Sequence, residues 1–149
     1  EKLSSFITTA QTDGSAESLG RIGTLPAPVA IDDFAHSVCK RLGVSHVRLV
    51  RAADRPVRRV AVVGGAGAEF IDTAVRRGAD VYLTGDVKYH EAQRAAEQGM
   101  HLIDAGHFGT ERPVLPVLAD LLRAELAAEH GTVEILVTET QRDVFDVII

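Results

Sequence analysis

The sequence has one cysteine, Cys39, and no tryptophan. A single thiol closes no intramolecular disulfide, so a disulfide-stapled secreted domain is excluded. Cys39 sits in a helical apolar pattern with Phe34, Val38 and Leu42 and reads as a small core residue, not a nucleophile. Long apolar runs are also missing. None approaches the ~20 residues needed to cross a bilayer, and no leader segment is visible, so a cytoplasmic location is expected. Excess positive charge is lacking too: 16 Lys and Arg stand against 21 Asp and Glu, a net charge of −5. A nucleic-acid backbone calls for a basic face, and the acidic balance argues against such a partner. The local cluster Arg48, Arg51, Arg55, Arg58 and Arg59 reads as a solvated loop between two strands.

What is present suits one ordinary domain. The 149 residues are 46% hydrophobic and 25% charged, enough to build a real core. Residues 1–29 are the least regular. Phe6 to Thr9 has the composition of a short strand, and Gln11 to Glu17 that of a loop or linker. Gly20 to Pro28 holds two glycines and two prolines, which specify a shaped loop and reject a helix.

From residue 30 the pattern alternates. Ile31 to Leu42 has a helical period and ends at Gly43. Val47–Val50 and Arg59–Val63 read as strands, the second a β-branched run typical of a buried one. Ala68–Arg77 is a predicted helix, Asp80–Thr84 a strand, and Val87–Gln98 a helix with Asp86 as its expected N-cap. His101–Asp104 is a strand. A helix capped by Thr110 is expected to reach Glu129, with Gly131 ending it and Pro113 tolerated in its first turn. Thr132–Thr138 is a predicted final strand. Strands alternating with helices of this length imply an α/β fold, a three-layer α-β-α lobe around a mostly parallel sheet.

Three strands end in glycine-bearing turns: Gly64-Gly65-Ala66-Gly67, Thr84-Gly85-Asp86 and Asp104-Ala105-Gly106-His107. In open α/β sheets ligands bind beyond the carboxyl ends of the strands, so polar residues in these turns are the candidates for function. Gly64, Gly65 and Gly67 resemble a phosphate-binding turn, but Phe70 stands where a dinucleotide fingerprint needs glycine, and no Gly-Lys-Ser/Thr follows. Two readings stay open: a tight turn needing positive φ, or a turn that lets a ligand or neighbouring chain approach closely. His90 lies in the first turn of its helix, where a structural or exposed role is the plainer reading. His107 is flanked by Gly106 and Gly109, and Glu111 follows four residues later. Imidazole and carboxylate together suit a borderline divalent ion, with Asp104 available to orient the ring. A carboxylate in a first helical turn also interacts well with the helix dipole without any metal.

Four segments then appear in a telling order: Gly20-Arg-Ile-Gly-Thr-Leu, Val62-Val-Gly-Gly-Ala-Gly67, Gly78-Ala-Asp-Val-Tyr-Leu-Thr-Gly-Asp-Val-Lys-Tyr-His-Glu91, and Asp104-Ala-Gly-His-Phe-Gly-Thr-Glu111. Together they resemble the C-terminal half of the NIF-three-like family, whose members are also described as dinuclear-metal hexameric proteins or GTP cyclohydrolase type 2 homologues. The resemblance runs from about residue 18 to the end. It implies two similar α/β lobes facing each other across a shared dinuclear metal site. It makes His107 and Glu111 the metal ligands of the C-terminal lobe. The other ligands, a His-His pair and an aspartate, belong to the N-terminal lobe, and no His-His pair occurs here.

By resemblance, residues 18–149 are therefore expected to be the C-terminal lobe alone. Residues 1–17 are expected to be a linker or the remnant of an inserted domain. The implied partners are the missing N-terminal lobe and further copies in a homo-hexamer. The implied cofactors are two divalent ions, with zinc, iron, manganese and nickel all compatible. The implied activity is metal-dependent hydrolysis of a nucleotide-like substrate, with His90 as proton carrier and Tyr89 and Lys88 as substrate contacts. The rival expectation is a metal-carrying scaffold or regulatory interaction protein without turnover. A third is a stand-alone nucleotide-binding module built on Gly64 to Gly67.

Overall fold

The computed structural model describes residues 3–10, 16–129 and 133–148. A six-stranded sheet has the order β1-β2-β4-β5-β6-β3. Its strands are β1 (Ser4–Ala10), β2 (Ala16–Val29), β3 (Arg48–Val50), β4 (Val57–Ala66), β5 (Val81–Gly85) and β6 (His101–Asp104). The central strands β4, β5 and β6 are parallel. The outer strands β1, β2 and β3 pair antiparallel to their neighbours.

The helices cover both faces. They are α1 (Ile31–Leu42), α2 (Ile71–Arg76, entered through a 3-10 turn at Ala68–Phe70), α3 (Tyr89–Glu97), α4 (His107–Glu111) and α5 (Val114–Glu129). Helix α1 carries acids in its first turn and bases in its last, matching the helix dipole, and Gly43 closes it at φ 68°. Its Ala35 and Val38 pack against Val57, Val81, Leu83 and Ile103 on one face of the sheet. On the other face, Ile71 and Ala74 of α2 and Ala95 of α3 pack against Ala61, Val63, Tyr82 and Leu102. This is the α-β-α lobe expected from the alternation. No helix among the described residues is long and apolar enough to cross a membrane.

Several expectations are corrected. Gly20 to Pro28 is not a loop but part of the long strand β2. The ladder to β4 is regular up to Thr24 and resumes at Val29, so Pro26 and Pro28 fall in the irregular stretch between, where no ladder N–H is demanded of them. The short strand expected at Phe6 to Thr9 is present and longer, as the edge strand β1 over residues 4–10. The long helix expected from Thr110 is two helices, α4 starting at His107 and α5 at Val114. Pro113 stands between them and lacks the N–H that a continuous helix would use. Of the predicted final strand, residues 133–138 adopt no regular structure. Gly131 and Thr132, like most of the loop expected at Gln11 to Glu17, lie outside the described residues. An apolar run specifies a strand only where a sheet edge accepts it. β1 and β3 end this sheet, and neither pairs with residues 133–138.

Candidate metal centre

The carboxyl ends of β4, β5 and β6 bring their three turns together, and the closeness requires glycine. At Gly85 a Cβ would lie 2.8 Å from the carbonyl carbon and oxygen of Gly106 and 2.9 Å from the His107 nitrogen. The β5 and β6 turns therefore touch through backbone. Gly65, at φ +65°, sits under α4: a Cβ there would be 2.5 Å from Glu111 Oε1 and 3.3 Å from His107 Nε2. Of the two readings of the glycine turn, the structure bears out the tight turn needing positive φ, at Gly65, and the space a side chain would take there is filled by the His107–Glu111 pair of this same chain.

Thr110 fastens the pair to that floor. Its hydroxyl accepts the Gly65 N–H at 2.9 Å and donates to the Gly106 carbonyl at 2.8 Å. Thr110 was expected to cap a helix; it instead sits within α4 and joins that helix to the glycine turn. Beneath, Thr84 Oγ1 accepts the Gly67 N–H at 3.0 Å, and the buried Tyr82 hydroxyl donates to the Gly67 carbonyl at 2.7 Å.

His107 Nε2 and Glu111 Oε1 are 3.1 Å apart, with side chains 48% and 57% exposed, so both are open to a ligand. His107 Nδ1 lies 2.7 Å from Asp86 Oδ2. That hydrogen bond holds the imidazole above its ordinary pKa; burial opposes the rise, and the charges of Glu111 and Asp86 add to it. Asp104, expected to orient the ring, is not the ring's partner. Its carboxylate is buried and accepts the Val87 N–H at 3.0 Å, the Gly106 N–H at 2.9 Å and the Arg48 guanidinium. Arg48 also donates to the Val87 carbonyl at 2.7 Å. Asp104 thus fixes the two turns that carry Asp86 and His107 and acts on the site through backbone.

Asp86 was expected as the N-cap of α3. The cap position is Lys88, whose N–H is accepted by Glu91 Oε2 at 2.7 Å, and Asp86 is free to turn to His107. His90 is exposed, its ring edge-on to Tyr89 at 5.8 Å. Neither His90, Tyr89 nor Lys88 lines the open cleft of about 1300 Å³ that holds His107 and Glu111. Tyr89 and Lys88 line a separate hollow of about 160 Å³ beside Arg48. Sequence reasoning missed Arg48, which was read as part of a solvated arginine loop. Its signal was weak: a charged residue alternating with Leu49 in a short edge strand.

Among the described residues, no group of three or more His, Cys, Asp or Glu side chains converges as a metal cage. The two donor atoms that do converge have the right chemistry for a borderline divalent ion but leave most of its coordination open.

A family model described as Duf34/NIF3 (NGG1p interacting factor 3) matches residues 2–144. The chain belongs to the Duf34/NIF3 family. A Duf34/NIF3 relative from Bacillus subtilis, named GTP cyclohydrolase 1 type 2 homolog, is 38% identical over 129 residues, covering 87% of this chain and 34% of that protein. Among solved structures, a Bacillus cereus protein related to NIF3 superposes with a TM-score of 0.85 at 35% identity, covering 91% of this chain and 37% of that one. The Staphylococcus aureus protein SA1388 gives 0.80 at 29% identity, covering 90% and 39%. The chain thus spans little more than a third of the length of these Duf34/NIF3 relatives.

Proposed function

We propose that this chain is the C-terminal lobe of a longer metal-dependent hydrolase acting on nucleotide-like substrates, with His107 and Glu111 its share of a dinuclear site. The observation that carries the reading is the convergence of His107 Nε2 and Glu111 Oε1 over Gly65, at the carboxyl edge of the parallel strands and open to a large cleft. The name of the Bacillus subtilis relative supports a nucleotide-like substrate. The greater length of the relatives supports a second lobe that supplies the remaining ligands. Bound divalent ions would supply Lewis-acid polarisation of the scissile bond and an activated water.

This chain's own residues do the holding. His107 and Glu111 present nitrogen and oxygen donors on one face of α4. Thr110 and Gly65 set the height of that face above the sheet. Asp104 and Arg48 keep the two turns in register. The cleft gives a substrate room against residues 42–46 and 141–147.

Elemental analysis of the full-length protein tests the ligands. Metal is expected in the wild type and a large loss in both His107→Ala and Glu111→Ala. An unchanged stoichiometry in Glu111→Ala refutes the assignment. Incubating the metal-loaded protein with GTP tests turnover. Product above a His107→Ala control is expected; its absence favours a metal-carrying scaffold, which would need the same two ligands.

A further inference from the structure

We propose that Asp86 is a positioning residue, held in a left-handed backbone conformation so that its carboxylate takes the Nδ1–H of His107 and leaves Nε2 as the ring nitrogen offered to a ligand. Among the described residues Asp86, at φ 56°, is the one non-glycine with positive φ. That conformation is strained for an L-residue, and aspartate and asparagine bear it best. Helix capping does not account for it, because Lys88 and Glu91 occupy that role. Among the described residues its one side-chain hydrogen bond is to His107.

The backbone around Asp86 is clamped on both sides. Gly85 lies against Gly106 and the His107 nitrogen. Val87 gives its N–H to Asp104 and its carbonyl to Arg48. Flipping the Asp86–Val87 peptide to relieve Asp86 would break the Val87 N–H bond to Asp104, and flipping the next peptide would break the bond from Arg48.

The consequence is chemical. A carboxylate oxygen accepts, so the Asp86–His107 bond places the proton on Nδ1. Two carboxylates compete for the ring, Asp86 at 2.7 Å and Glu111 at 3.1 Å. When the neutral ring keeps one proton, the closer and conformationally held Asp86 retains it. Nε2 then carries its lone pair toward Glu111 Oε1, the arrangement that a histidine ligand needs. The ligand role of Nε2 rests on the metal reading above; the placement of the proton does not.

The two are tested separately. Nitrogen-15 histidine spectra of the protein, recorded at a pH where the ring is neutral, report the tautomer of His107 without any metal. Nδ1–H is expected in the wild type. Asp86→Ala and Asp86→Gly are expected to lose that preference, and Asp86→Asn to keep it through its amide oxygen. Asp86→Gly relieves the backbone strain and is expected to melt no lower than the wild type, so its spectrum reports the lost acceptor and not unfolding. A wild-type ring protonated on Nε2, or a tautomer unchanged in Asp86→Gly, overturns the proposal. In the full-length holoprotein, Asp86→Ala is expected to weaken metal affinity roughly 10–100-fold, with Asp86→Asn partly restoring it. If the tautomer shifts as stated and metal affinity does not, the metal reading of His107 fails while the positioning role stands.

Discussion

Tyr82 shows how a single residue supports the site from below. Its ring is fully buried beside Phe6, and its hydroxyl donates to the Gly67 carbonyl at the end of the glycine turn. Burial pushes the phenol well above the ordinary value of 10.0, since the charged form would lose its hydration. The sign of the pH dependence follows. The folded state keeps the proton to a higher pH than the unfolded chain, so stability is intact below pH 10 and falls as pH rises beyond it. Thermal melts from pH 9 to 11 are expected to decline for the wild type. Tyr82→Phe should show a shallower decline, with a cost of about 1–2 kcal/mol at neutral pH from the unpaired Gly67 carbonyl. Equal slopes for the two proteins would show that the Tyr82 proton does not contribute. His107 and Glu111 were legible as a pair because small flanking residues and a four-residue spacing are visible along the chain. The role of Asp86 was not, because an aspartate before a helix looks the same in sequence whether it caps the helix or turns away from it in the left-handed region.

The elements that shape the site are its turns, and Asp104 joins two of them. Its buried carboxylate accepts two backbone N–H groups and the Arg48 guanidinium. Asp104→Ala would leave the Val87 and Gly106 amides without partners, and a loss of roughly 2–4 kcal/mol is expected in urea unfolding. Asp104→Asn retains one acceptor oxygen and should cost less. Arg48→Ala removes an exposed guanidinium and should cost least, about 1 kcal/mol. Any other order would mean that the carboxylate is not what joins the turns. The regular elements from α1 to β6 were legible because their apolar spacing and glycine stops agree. The ends were not. Pro26 and Pro28 looked like a loop because sequence does not reveal the irregular register that admits them to a strand. Residues 133–138 looked like a strand because their composition is right, while the sheet that would pair them is a property of the assembled fold.

At the scale of the whole molecule, one apolar surface stands out among the described residues. Val114, Val117, Leu118, Leu121 and Leu122 form a stripe along α5 and are between 41% and 60% exposed. Their spacing is that of a helix face made for packing, yet Ala119 is the buried residue of that helix among those described. The stripe begins three residues beyond Glu111, so whatever covers it is carried to the edge of the His107–Glu111 pair. Under the reading proposed above, a second lobe seated there would bury the apolar face and bring further ligands to His107 and Glu111 in one step. The chain by itself leaves this face in water and is expected to self-associate with rising concentration, measured by sedimentation velocity. Replacing Leu118 and Leu121 together with Lys and Glu should abolish that association and change the chain's own stability little, since both side chains are largely solvated already. In the full-length protein the same double substitution should lower both the melting temperature and the metal content. Retained metal with an unchanged melting temperature would mean that the stripe and the site are independent.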